Sequence, residues 1–281
     1  MSILRPTRLL NICGLAFFMS VQSWVACSAD QLPAPAAKLI EFEGDLPFTP
    51  KPVTLKGYLR RPDAAGRHPA IVLLHGCGGA AERLDQNWGR RLASSGYVTL
   101  TIDRTGDICS VKSFPPLQDF DAYRGLNFLA RQSFVDAKRV VVMGLQQGGS
   151  LALYSVERGS IEQIYENKFR AAVALYPICD GLRGTMAAPA LILIGERDPS
   201  TPGCRDMVEG RGGDFGSSRT PGEGAAVRFV VYPNAYHAFD VPKFNTPMEY
   251  LGYHLEYNQA AADQSLVDLR EFLDTMVGSH R

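Results

Sequence analysis

The chain has 281 residues, 46% hydrophobic and 21% charged, which suits a globular protein of one large or two small domains with a sizeable core. Lys+Arg and Asp+Glu number 29 each. The formal net charge is therefore zero, and nothing in the charge balance supports nucleic acid or an anionic membrane as a partner.

The first thirty residues differ from the rest. Arg5 and Arg8 precede an apolar run from Leu9 to Met19, broken only by Asn11, and a small-residue stretch follows at Ala26-Cys27-Ser28-Ala29. Basic head, short apolar centre and small-residue exit describe a secretory signal peptide, with cleavage near Ala29. The run falls short of the about 20 residues that a spanning helix needs. Two other readings compete: a lipid anchor at Cys27, disfavoured by the bulky Trp24 where such signals usually carry Leu, and a buried N-terminal helix. The expected organisation is a signal peptide over 1–29, a linker over 30–38 and a single domain over 39–281.

Export would change how the cysteines read. Cys13 and Cys27 leave with the leader, and Cys77, Cys109, Cys179 and Cys204 remain, an even number in an oxidising compartment. Four cysteines allow three pairings, and four free buried thiols are the alternative, disfavoured outside the cytoplasm. No C-x-x-C spacing argues for a metal.

After a Pro/Ala linker, two β-type stretches appear around Leu39–Phe42 and Val53–Leu59, and a turn follows at Arg60 to Gly66. Strands and helices then alternate. Strands are expected at Ala70–Leu74, Tyr97–Ile102, Val140–Met143, Ala171–Tyr176, Ala190–Ile194 and Arg228–Tyr232. Helices are expected at Leu84–Ser94, Asp119–Ala130, Ser150–Glu157 and Ala260–Met276. Val140-Val141-Val142-Met143 and Leu191-Ile192-Leu193-Ile194 are apolar throughout rather than alternating. Such strands are buried on both faces, as in a mainly parallel sheet covered by helices. Right-handed crossovers then give a doubly wound α/β domain. The chain order of such a sheet favours Cys77–Cys109 and Cys179–Cys204 as disulfides, each tying two loops at the same end. Glu209 to Ala226 holds six glycines and reads as a surface loop between two candidate site residues.

In open α/β sheets the working residues gather beyond the carboxyl ends of the strands. His75-Gly76-Cys77-Gly78-Gly79 follows the third strand. Gly144-Leu145-Gln146-Gln147-Gly148-Gly149 follows the fifth and runs into a helix, the context of the G-x-S-x-G nucleophile elbow with Gln146 in the Ser slot. Asp198 follows the strand ending at Ile194, and His237 follows the last strand. Elbow, acid, histidine is the order of an α/β-hydrolase triad.

Together these segments resemble the dienelactone hydrolase family of α/β-hydrolases. The carriers are the His-Gly-Cys-Gly-Gly turn, the Gly144–Gly149 elbow, Gly195-Glu196-Arg197-Asp198 with Thr201-Pro202, Ala235-Tyr236-His237-Ala238-Phe239-Asp240, and Leu255 to Asp263. The resemblance runs from about Gly57 to Leu273 and implies an α/β-hydrolase fold. It implies His237 as general base and Asp198 as the group that orients it. It also implies the backbone N–H groups of Cys77 and Gln147 as an oxyanion hole, with Gly76 and Gly78 allowing close approach. Tyr236, Phe239 and Asp240 are expected to line or buttress the pocket; His75 and Asp103 read as structural.

The departure is Gln146, which cannot be deprotonated near neutral pH and cannot form an acyl-enzyme. Ser150, one helical turn on, should face away from His237. The resemblance implies a hydrolase of small carboxylic esters or lactones. Gln146 points to an impaired, ligand-binding member of that class, and the alternative is an active ester hydrolase that uses water activated by His237 or an unrecognised nucleophile. No cofactor is implied, because there is no Rossmann fingerprint, P-loop or metal-ligand cluster.

Overall fold

The computed structural model describes residues 34–44, 52–77, 81–103, 120–211, 220 and 222–278. The leader, Cys27, Gly78, Gly79, Cys109 and residues 212–219 of the glycine-rich loop lie outside the described residues.

Eight strands form one sheet in the order β1-β2-β4-β3-β5-β6-β7-β8. They are β1 (Lys38–Gly44), β2 (Val53–Arg60), β3 (His68–Leu74), β4 (Val98–Asp103), β5 (Val135–Leu145), β6 (Ala171–Leu175), β7 (Ala190–Gly195) and β8 (Val227–Tyr232). The β1–β2 and β2–β4 pairs are antiparallel and all others are parallel. Every residue of β3, β6 and β7 is buried. Because successive side chains point to opposite faces, both faces must be covered, as the unbroken apolar runs demand. The covering helices include α3 (Asp121–Ala130), α4 (Gln147–Tyr154) and α6 (Gln259–Val277), the last capped at its N-terminus by Asn258, whose side chain accepts from Ala261 N–H.

The topology places the site. From β3 the chain crosses to β4 on one side, then returns to β5 on the other side of β3. That reversal leaves a crevice beyond the carboxyl ends of β3 and β5, where neither crossover covers the sheet. His75–Cys77 and Gln146 are the residues that leave those two strand ends.

Three elements differ from the sequence expectation. The helix expected from Leu84 starts at α1 (Ala81–Leu84) and passes through a π-helical turn (Asp85–Gly89) into α2 (Arg90–Ser94). Within that turn Asp85 is buried and receives Arg60 Nε at 2.9 Å and Nη2 at 2.6 Å, so the extra residue is held by an ion pair to β2. A helix α5 (Thr201–Val208) and a hairpin of β9 (Met248–Tyr250) and β10 (Tyr253–Leu255) were not anticipated. Both are short, and α5 carries Pro202 and Gly203, which hide a helical pattern.

Cys179, after β6, is joined to Cys204 in α5, with Cα atoms 4.8 Å apart. Among the described residues no helix is long and apolar enough to cross a membrane.

Candidate active site

At the end of β5 the backbone turns sharply. Gln146 has φ 51° and ψ −118°, and α4 begins at the next residue. A non-glycine residue in this region costs about 1–3 kcal/mol and persists only where its surroundings over-determine it. They do so here. Gln146 N–H donates to Leu175 O at 2.9 Å, and Gln146 O accepts from Ser150 N–H at 3.0 Å. Two glycines are forced by the tightness of the turn: a Cβ on Gly144 would sit 2.0 Å from Gly148 O, and one on Gly148 would sit 2.2 Å from Leu74 O.

The Gln146 side chain reaches across to the end of β3. Its Oε1 accepts from the backbone N–H of Cys77 at 3.0 Å. A Cβ on Gly76 would lie 2.8 Å from that oxygen, so the glycine is what lets the carboxamide in. Cys77 Sγ lies 3.0 Å from Oε1 of Gln147. Ser150 turns away: its Oγ donates to Ile178 O at 2.7 Å and accepts from Ile178 N–H at 3.0 Å.

The second half of the site comes from the ends of β7 and β8. His237 Nδ1 donates to Asp198 Oδ2 at 2.7 Å, and both residues are buried. The other carboxylate oxygen of Asp198 accepts from Ser200 N–H at 2.9 Å. The acid is thus fixed by its own loop, and the imidazole by the acid. A carboxylate on Nδ1 leaves Nε2 as the acceptor nitrogen. The ring is held between Tyr176, centroid 4.9 Å away edge-on, and Tyr253, centroid 4.2 Å away.

Gln146, His237, Cys77, Gly76 and His75 all open onto one cavity of about 630 Å³. Tyr176 and Trp88 form a polar clamp in its wall: Tyr176 OH donates to Asp240 Oδ1 at 2.9 Å and Trp88 Nε1 donates to Asp240 Oδ2 at 3.0 Å. Burial pushes the Asp240 carboxyl above its ordinary range, opposed by those two hydrogen bonds and by Arg91. Burial, then the neighbouring Asp240, pushes the Tyr176 hydroxyl well above its usual value, so it stays a neutral donor. Arg83, Arg91 and Lys243 contribute exposed cations to the cavity lining, and the β9–β10 hairpin contributes Met248, Tyr250, Tyr253 and Leu255.

Of the aromatic residues expected to line or buttress the pocket, Phe239 buttresses it and Tyr236 lies elsewhere. Phe239 is fully buried behind it, packed edge-on against Tyr176 and Tyr232, so it buttresses but does not line. Tyr236 points to the outer side of the loop, where its hydroxyl accepts from Arg197 Nη1 at 2.8 Å and its ring meets His254. Asp103 ends β4 in register with Lys56 and does not line the cavity. The sequence reading missed Trp88, Tyr176 and the 241–255 wall. Tyr176 stands one residue beyond β6, where the strand-end rule would have found it had the strand been ended at Leu175. Among the described residues there is no cluster of His, Cys, Asp or Glu that could hold a metal ion.

Sheet order, strand–elbow–helix turn and a His–Asp pair on the two later strand ends define an α/β-hydrolase fold. Several solved structures share it. A putative dienelactone hydrolase from Klebsiella pneumoniae is 21% identical with a TM-score of 0.59, covering 84% of this chain and 98% of that one. Esterase 2 of Thermogutta terrifontis, phosphorylated by paraoxon, is 19% identical with a TM-score of 0.61, covering 88% of this chain and 97% of its own. A dienelactone hydrolase-like promiscuous phosphotriesterase from metagenomic libraries is 18% identical with a TM-score of 0.61, covering 87% of this chain and 100% of its own. Residues 117–277 match the dienelactone hydrolase family, and the chain belongs to it.

Proposed function

We propose that this family member binds a small carboxylic ester or lactone in the cavity but does not turn it over through an acyl-enzyme. In this reading Asp198 and His237 keep the acid and base positions, Cys77 and Gln147 supply the oxyanion donors, and Gln146 occupies the nucleophile slot. The observation that carries the reading is the 3.0 Å hydrogen bond from Cys77 N–H to Gln146 Oε1. An amide oxygen fills the place where a substrate oxyanion would gather charge, and the residue that brings it there has no nucleophilic atom. A substrate carbonyl must displace it, at a cost of about 1 kcal/mol for the exchanged hydrogen bond. Ser150 is no substitute, since its hydroxyl is tied to Ile178 by a donated and an accepted hydrogen bond. Residues 1–29 and the Cys179–Cys204 disulfide support an exported protein.

The test is ester hydrolysis with and without a restored nucleophile. The purified protein should hydrolyse p-nitrophenyl acetate slowly and without a burst. Gln146→Ser should raise kcat/KM at least about 100-fold, because a positioned general base alone contributes about 10²–10⁴. A burst in the native protein, blocked by a serine reagent, would overturn the reading.

A further inference from the structure

The Gln146 side chain has the skeleton of an acylated serine. An acyl-serine runs Cβ–Oγ–C(=O)–R; glutamine runs Cβ–Cγ–Cδ(=Oε1)–Nε2, with the same number of atoms in the same connectivity. Both halves of this analogy are realised. Gln146 stands on the elbow with φ 51°, and its carbonyl oxygen accepts from Cys77 N–H at 3.0 Å, as the carbonyl of an acyl-enzyme would. His237, held through Nδ1 by Asp198 at 2.7 Å, opens on the same cavity. A cavity of about 630 Å³ readily admits water.

A base, a water and a polarised acyl carbon are the parts of a deacylation step. Here Cδ is bonded to Cγ by a carbon–carbon bond, which cannot leave, and to Nε2, which can. We propose that the site hydrolyses its own Gln146, converting it to Glu with release of ammonia. His237 takes a proton from water, and the hydroxide adds to Cδ while negative charge on Oε1 is held by the Cys77 N–H. The tetrahedral intermediate then collapses: the Cδ–Nε2 bond breaks as the proton returns from His237 to nitrogen, through cavity water. One water is consumed, one ammonia is released, and no atom is oxidised or reduced. The product is a carboxylate on the elbow.

This inference rests on the placement of base and oxyanion donor proposed above. It is tested on the intact full chain by peptide mass spectrometry after incubation in heavy-oxygen water. Conversion at residue 146, with uptake of the heavy oxygen, should outpace that of Gln163, an exposed glutamine in the same molecule, by at least about 100-fold, the lower end of general-base contributions. His237→Ala and Asp198→Asn, checked for folding by thermal unfolding, should both slow it towards the Gln163 rate. Residue 146 remaining glutamine while Gln146→Ser gains esterase activity would refute self-hydrolysis and leave the function proposal intact. No conversion and no gain in Gln146→Ser would refute both.

Discussion

The elbow and the acid–base loop meet at one cavity, yet they are held in place by different physics. The elbow is fixed by backbone: Gly144 and Gly148 are packed so closely that no side chain fits, and the strained φ of Gln146 is locked by hydrogen bonds on both sides. The acid–base half is fixed by side chains, with His237 gripped by Asp198 and two tyrosines. The elbow's shape therefore survives whatever side chain stands at 146. The imidazole's orientation depends on each partner that touches it.

The comparison can be broken most severely at the backbone. Gly148→Ala puts a methyl 2.2 Å from Leu74 O and should cost about 4 kcal/mol or prevent folding, read by denaturant unfolding. If it costs under about 1 kcal/mol, the elbow is not the rigid half. On the other side, Cys204 lies in the helix that follows Asp198. The double variant Cys179→Ala/Cys204→Ala should lose about 2–4 kcal/mol, since the bridge closes a segment of 25 residues. A smaller contrast isolates strain at 146. Gln146→Gly and Gln146→Ala both lose the hydrogen bond to Cys77, but glycine adopts φ 51° without the strain that a Cβ brings. The glycine variant should be more stable than the alanine by about 1–2 kcal/mol.

The mildest effect concerns pH at the cavity's hairpin. His254 hydrogen-bonds Glu249 and Glu256, which raise its pKa above the usual 6.5. A raised value means the folded state favours the proton. The clamp on the hairpin is therefore complete below pH 6.5 and is lost as pH rises through the folded value. An NMR titration should place the His254 midpoint above 6.5, and Glu249→Gln should lower it.

Much of the fold was legible because its strands are buried on both faces and read as unbroken apolar runs. The elbow was legible because glycine is the only residue that satisfies Gly144 and Gly148. Asp198 and His237 were legible from strand-end position. The cavity's far wall was not. The β9–β10 hairpin is built from three-residue strands, β9 exposed throughout and β10 buried only at Leu255, so period-2 alternation never develops. Trp88 reaches the cavity within a π turn, a break in helical period that depends on the Arg60–Asp85 pair, 25 residues apart in sequence. Nor could composition foretell that the Gln146 carboxamide would settle on Cys77 N–H, which required both strand ends to be in place.

Paraoxon, which phosphorylates the Thermogutta esterase, offers the most direct measurement. The account predicts that the native protein acquires no phosphoryl adduct, whereas folded Gln146→Ser acquires one, on residue 146, as read by intact and peptide mass. An adduct forming on the native cavity at the rate of the serine variant, or no adduct on the folded variant, would contradict the claim that only the nucleophile is missing from an otherwise assembled site.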